Sequence, residues 1–265
     1  MPVDLLLTSF ATIVTGRRPE RTDLERPWRV WDLDSELRYL PVVRALPDSP
    51  LPICEVGSGP QGIAVWTDRE VVGVDPGDDE RHAGLPAVAP PNLRRLEGHG
   101  AELPLPDASV AAAVAVDTLE HIPRAERPAV VAEMLRVTAP GGRVVLMGPT
   151  GPEAAAGDAY LLERHRERGA EEGPVVWLTE HLECGLPAVD ELVGLLAQGR
   201  TRRITAKGVF NLRMWRVMHR AALADYPQPR GAHLVHHLTW APFGAAARRL
   251  HRGPYYRWLV VAELG

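Results

Sequence analysis

The feature that most constrains this chain is the stretch ICEVGSGPQG at residues 53–62, where a short apolar run breaks into glycines. Gly57, Gly59 and Gly62 stand at the spacing G-x-G-x-x-G. A buried strand ending in such a turn lets the main chain press close to a ligand, because glycine accepts positive φ and carries no side chain to hold the ligand away. The same pattern also occurs as plain packing, so the rest of the chain has to supply its meaning.

Downstream, short apolar runs alternate with helical or loop segments. The strands expected are LPICEV (51–56), EVVGVD (70–75), a weaker NLRRLEG (92–98), VAAAVAVD (110–117) and RVVLMG (143–148). A helix is expected over RAERPAVVAEMLRVT (124–138), and APGG then turns the chain into the fifth strand. Two helices precede the glycine turn, over 3–14 and roughly 28–46, the second with Trp31, Leu37, Leu40 and Val43 near helical spacing. Nearly continuous Val/Ala/Leu runs suit strands covered on both faces, which implies a mainly parallel sheet. The Pro-rich stretch 76–92 reads as loop. Beyond Gly148 the pattern loosens to a helix over 187–199, a strand over 202–209, a basic helix over 211–223 and a closing strand over 256–264.

In an open α/β sheet a ligand sits at the carboxyl ends of the strands, beside the first strand-to-helix turn. Asp75 ends the second strand, where a carboxylate can accept hydrogen bonds from both ribose hydroxyls. Glycines and Asp75 together fit a dinucleotide or S-adenosylmethionine. The segment IAVWTDRE between the glycines and the second strand is too short for the long helix whose N-terminus a pyrophosphate needs. An NAD(P)-dependent oxidoreductase would also want a Tyr-x-x-x-Lys pair or similar, and Lys207, the single lysine, has no tyrosine four residues before it.

The run LEGHGAELPLPDASVAAAVAVDTLEHIP, followed at a helix's distance by LRVTAPGGRVVLMGP, resembles the class I S-adenosylmethionine-dependent methyltransferases of the type 11-like group. The resemblance covers about residues 51–149. It implies an α/β, Rossmann-like fold: a mostly parallel seven-stranded sheet, the last strand antiparallel, with helices on both faces and added helical segments. On this reading residues 1–50 are N-terminal helices, 51–149 the cofactor-binding core, and 150–265 the completion of the sheet with acceptor-site insertions. Glu55, Gly57, Ser58, Gly59 and Gly62 would wrap the methionine end of S-adenosylmethionine, and Asp75 with Pro76 would meet the ribose. His99, Gly100, Ala101 and Glu102 would line the adenine edge. Asp117 to His121 would lie beside the reacting methyl group, His121 being the candidate general base for a hydroxyl acceptor. Two positions depart from the group's pattern, which has Asp in place of His99 and of Ala111. His99 can still accept from the adenine amino group through an unprotonated ring nitrogen. A binding module that kept the fold and lost turnover is the alternative that His99 motivates.

Composition bears on the partner. Residues 1–200 carry 19 Arg against 32 Asp and Glu, a balance of −13, while residues 201–265 carry 11 Lys and Arg against two acids, a balance of +9. Such a split points to an anionic partner. Arg213, Arg216 and Arg220 share one face of the expected 211–223 helix, and Phe210, Met214, Val217 and Ala221 form an apolar stripe. With His181 they are the candidate substrate residues, for a small acceptor that is phosphate-bearing or lipid-linked. Nucleic acid is disfavoured, because the rest of the chain is acidic and aromatics are not interleaved with the arginines. No metal is expected: Glu180, His181 and Glu183 lack a partner cluster in the sequence, and His233, His236 and His237 read as a solvated turn. Two cysteines give no disulfide framework, and no run approaches the ~20 apolar residues of a membrane span. A cytoplasmic protein is expected, at most peripheral to a membrane.

Overall fold

The computed structural model describes residues 33–77, 89–167, 175–216, 219 and 252–265. Helix α1 (Leu33–Ala45) leads into β1 (Ile53–Val56), followed by β2 (Val71–Asp75), β3 (Leu93–Glu97) and β4 (Val110–Val116). Then come α2 (Arg127–Val137), β5 (Thr138–Pro149), α3 (Pro152–Arg166), α4 (Val176–Cys184) and α5 (Val189–Leu196). Strands β6 (Thr201–Asn211) and β7 (Tyr255–Leu264) complete one seven-stranded sheet in the order β3-β2-β1-β4-β5-β7-β6.

β1 pairs in parallel with β2 on one side and β4 on the other. The strand order therefore reverses at β1, and open α/β sheets place a ligand crevice at such a switch point, outside the carboxyl ends of the strands, here β1 and β4. Every residue of β1, β2 and β4 is buried, as their unbroken apolar runs require of strands covered on both faces. One face packs Val56, Ala113, Leu146 and Val260 against Val130 and Met134 of α2 and Leu192 and Leu196 of α5. The other packs Ile53, Val71, Val114 and Val145 against Val42 of α1 and Ile63. β7 runs antiparallel between β5 and β6, so the sheet is parallel except at this end. The edge strand β6 exposes Arg202, Arg203 and Lys207, charges that discourage further strand addition.

Several expectations shift in detail. β5 begins at Thr138 rather than after APGG, because Ala139–Gly142 bulges within the ladder while Val110 pairs Thr138 and Ala112 pairs Arg143. The segment IAVWTDRE holds only a 3-10 turn over Gly62–Val65, in line with its shortness. Helices α3 and α4 fill the stretch where the sequence pattern loosened, and their apolar residues Leu161, Leu162 and Leu178 form a separate core with Trp215 and Tyr256. Phe210 lies in β6, and the residues buried after it are Leu212 and Trp215, so the expected Phe210–Met214 stripe is displaced. The expected helix over 3–14, Trp31, Val217, Ala221 and the three histidines of HLVHHL lie outside the described residues. No helix among the described residues is long and apolar enough to cross a membrane.

Candidate functional site

The glycine turn begins where β1 stops. Gly57, Gly59 and Gly62 have φ of 72°, 54° and 51°, the left-handed region that glycine enters without cost. The Gly59 N–H donates to Asp75 Oδ2 at 3.0 Å, so the residue that ends β2 ties down the loop that follows β1. Glu55, wholly buried, accepts from the Ile63 N–H through Oε2 at 2.6 Å. A Cβ on Gly62 would lie 2.0 Å from that same oxygen, so the third glycine makes room for Glu55 as much as for a ligand. Burial pushes the Glu55 carboxyl up to about 8, against the opposing pull of the Ile63 N–H. Its other oxygen, Oε1, is buried without a hydrogen-bond partner.

Ser58 is buried and its hydroxyl donates to the Gly59 carbonyl at 3.1 Å, while Pro76 is exposed beyond β2. Past β3 the chain makes a small turn. The Glu102 N–H donates to the His99 carbonyl at 2.9 Å, and the Ala101 N–H donates to His99 Nδ1 at 3.3 Å. A histidine nitrogen thus caps this turn in the way a short carboxylate would. Its other nitrogen lies 3.8 Å from a Glu126 carboxylate oxygen. Gly100 fits beneath this turn, where an added Cβ would press to 3.0 Å from Val56 and 3.3 Å from Val130.

Asp117 follows β4 with a φ of 48°, and its carboxylate is clasped by arginines from two other elements. Arg257 of β7 donates through Nε to both oxygens, at 3.0 and 3.2 Å, and through Nη2 at 2.7 Å, while Arg38 of α1 donates at 3.0 Å. Sequence reasoning placed Asp117 at the site and missed both arginines, which lie 79 and 140 residues away along the chain.

Next to Asp117 a 3-10 turn over Leu119–His121 carries Glu120 and His121 toward α4. His121 Nδ1 meets Glu180 Oε2 at 2.7 Å, and His181 Nδ1 meets Asp158 Oδ2 of α3 at 2.9 Å. Asp158 also accepts from the Tyr256 hydroxyl at 2.7 Å. The two imidazoles stand 4.8 Å apart between centroids, Trp177 meets His181 edge-on, and Trp215 stacks on Tyr256 at 3.6 Å. Glu120 is buried, and burial together with the Asp117 charge holds its carboxyl well above the ordinary range. Burial and the neighbouring His181 lower the His121 ring below its ordinary value, outweighing Glu180, so the ring stays neutral and available. Arg127, buried at the start of α2, locks this arrangement. It donates to the carbonyls of Leu119 and Ile122 on one side and of Cys184 and Gly185 at the end of α4 on the other. His121 and His181, separate in sequence, are therefore brought together, with Glu120 Oε1 4.0 Å from His181 Nε2. Asp158, Tyr256 and Arg127 carried no motif by which the sequence could have revealed them.

Arg213 and Arg216 lie at the start of the helical turn after β6, where Asn211 Oδ1 accepts from the Arg213 and Met214 N–H groups. Arg213 is exposed, whereas the Arg216 guanidinium lies 5.5 Å from the Tyr160 ring centroid on α3. Arg220 lies outside the described residues.

Residues 54–146 match the family described as methyltransferase domain. Relatives include an uncharacterized methyltransferase of Mycobacterium bovis, 38% identical over 117 residues, and one of Mycobacterium tuberculosis at 37% over the same length. These matches cover 41% of this chain and 45% of each relative, so the chain aligns with less than half the length of the curated relatives it matches. Among solved structures, the geranyl diphosphate C-methyltransferase of Streptomyces coelicolor, in complex with Mg2+, geranyl diphosphate and S-adenosyl-L-homocysteine, shares the fold at a TM-score of 0.51 and 14% identity. That likeness covers 100% of this chain and 98% of that one. A phosphoethanolamine N-methyltransferase of Haemonchus contortus shares it at 0.51 and 11% identity, over 97% of this chain and 60% of that one. Over residues 54–146 the chain is similar to the methyltransferase domain, and the resemblance to the class I S-adenosylmethionine-dependent methyltransferases extends from sequence motifs to the order of the sheet.

Proposed function

We propose that the protein transfers the methyl group of S-adenosylmethionine to a small acceptor bearing negative charge. The observation that carries this reading is the crevice at the β1/β4 switch. A left-handed glycine loop, a strand-end carboxylate and a histidine with a carboxylate partner line its rim within one sheet. The residues fit the cofactor's ends. The Glu55 carboxyl, which burial favours in its neutral form without ligand, would be drawn into its charged form by the cofactor's ammonium group, and Asp75 binds the loop through Oδ2 while Oδ1 is left for ribose hydroxyls. S-adenosylmethionine supplies an electrophilic methyl group on a sulfonium, so the protein's task is mainly to hold the acceptor atom in line. His121, its Nδ1 fixed by Glu180, takes the proton of a hydroxyl acceptor through its other ring nitrogen. His181 and Arg213 stand on the acceptor side, and the positive balance of residues 201–265 supports an anionic acceptor.

Calorimetric titration with S-adenosylhomocysteine and with NAD tests the cofactor. Gly59→Val should abolish S-adenosylhomocysteine binding, because a β-branched residue resists φ near +54° and brings bulk to the loop. Asp75→Ala should weaken it by about 1.5–3 kcal/mol, the loss of hydrogen bonds to a charged group. Parental affinity in both variants, or tighter binding of NAD, would overturn the assignment. Transfer of label from methyl-labelled cofactor to phosphorylated small molecules tests turnover.

A further inference from the structure

The two histidines beside the crevice share a feature that a single general base does not need. Each presents Nδ1 to a carboxylate: His121 to Glu180 and His181 to Asp158. That arrangement fixes the ring and leaves Nε2 as the nitrogen available to a further partner, which is the way metal-binding histidines are oriented. The third member is Glu120. It is fully buried, and its Oε1 has no hydrogen-bond partner and stands 4.0 Å from His181 Nε2. One ligand atom from each of Glu120, His121 and His181 lies within 4.8 Å of the other two. A buried carboxylate oxygen without a donor is costly in a protein interior, and two fixed imidazoles beside it ask for a shared positive partner.

We infer that Glu120, His121 and His181 bind one divalent transition-metal ion, with zinc the best match to a two-imidazole, one-carboxylate set. Zinc takes nitrogen and oxygen ligands at about 2.0–2.2 Å in a tetrahedron, so neighbouring ligand atoms sit about 3.3 Å apart. The ligand atoms stand farther apart than this, His181 Nε2 and Glu120 Oε1 at 4.0 Å and no pair beyond 4.8 Å. His121 supplies most of the closure, since its side chain keeps 23% exposure whereas those of His181 and Glu120 keep 4% and 1%. Arg127 already holds the Leu119–His121 turn against the end of α4, which limits how far the ligands separate without the ion. Three protein ligands leave a fourth position open, as in catalytic rather than structural zinc sites. An acceptor hydroxyl entering that position would be acidified by the ion. The ion would occupy the His121 nitrogen that in its absence accepts the proton, so the proton of the acidified hydroxyl would leave to solvent water. This last step, unlike the binding of the ion, rests on the methyltransferase reading.

Protein stripped with chelator and titrated with Zn2+ should take up one ion per chain, and Co2+ in its place should give the visible absorption of a four- or five-coordinate site. His121→Asn should lose at least tenfold in affinity and Glu180→Gln about tenfold or more, the usual effect of removing a ligand's orienting partner. Glu183→Gln, on the exposed face of the same helix, should bind like the parent. His121 is partly exposed, so its replacement should fold, and melting of the metal-free protein checks this. Zn2+ should raise the melting temperature of the parent and not of His121→Asn. Absence of stoichiometric Zn2+ uptake by the parent, or equal uptake by His121→Asn, would overturn the site. Binding of S-adenosylhomocysteine is measured separately. Zinc uptake without cofactor binding leaves the ion site standing and removes the methyltransferase reading, and the converse removes only the ion.

Discussion

Glu55 shows how one residue can serve the fold and the crevice at once. Its Oε2 holds the Ile63 N–H, so the carboxyl fixes the turn after the glycine loop from inside the protein. Burial raises its pKa from the ordinary 4.5 to about 8, which means that the folded state favours the protonated form. A group raised in this way contributes stability that is fully present below the unfolded pKa and is lost as pH rises through the folded one. Denaturant unfolding of the ligand-free protein should therefore show stability falling between about pH 4.5 and 8. Glu55→Gln keeps an acceptor for the Ile63 N–H and cannot ionise, so its curve should be flatter over that window by an amount on the order of a few kcal/mol. Parallel curves for parent and variant would show that Glu55 does not ionise at the expense of the fold. Gly62 completes the same local unit: any side chain there collides with Glu55, so this glycine is required even when no ligand is bound.

At the scale of elements, α3, α4 and β7 are joined by a polar strut rather than by apolar packing alone. Asp158 accepts from the Tyr256 hydroxyl and faces His181 Nδ1, all three residues being buried. Asp158→Ala would leave two buried polar groups without a partner, at a cost of about 1–3 kcal/mol each. Urea unfolding should show a loss of that size, with Asp158→Asn recovering part of it because an amide can still accept from Tyr256. A loss below about 0.5 kcal/mol would mean that water replaces the strut. This region was also the hardest to read from sequence. Strands β1, β2 and β4 were legible because being covered on both faces demands unbroken apolar runs, and the glycine turn was legible because its backbone conformation restricts residue type. Helices α3 and α4 mix buried Asp158, His165 and His181 with small residues and charges, which blurs the 3.6-residue period. The constellation of Glu120, His121 and His181 was invisible for a different reason. Its members come from two elements 60 residues apart, and Arg127 and the docking of α4 on the Leu119–His121 turn bring them together.

For the molecule as a whole, the uneven charge of the sequence bears on the proposed anionic acceptor. The sequence balance is −13 over residues 1–200 and +9 over residues 201–265, and on the proposed reading the basic part attracts an anionic acceptor. The three arginines singled out by their spacing do not contribute alike. Arg213 is exposed and free to meet an incoming anion, whereas Arg216 lies over Tyr160 and its Nε is buried, so its removal should act on packing of the helical turn against α3. Replacing Arg213 and Arg220 together with Gln, and leaving Arg216 in place, isolates the electrostatic contribution. The acceptor's KM should rise severalfold while cofactor affinity stays unchanged, because the glycine loop and Asp75 lie at the β1–β2 end of the crevice. Attraction between exposed charges is screened over about 10 Å at 0.1 M salt. Turnover of the parent at low acceptor concentration should therefore fall as salt rises, and the double variant should show a flatter dependence. Equal KM values and equal salt slopes for the two proteins would show that these two arginines do not meet the acceptor.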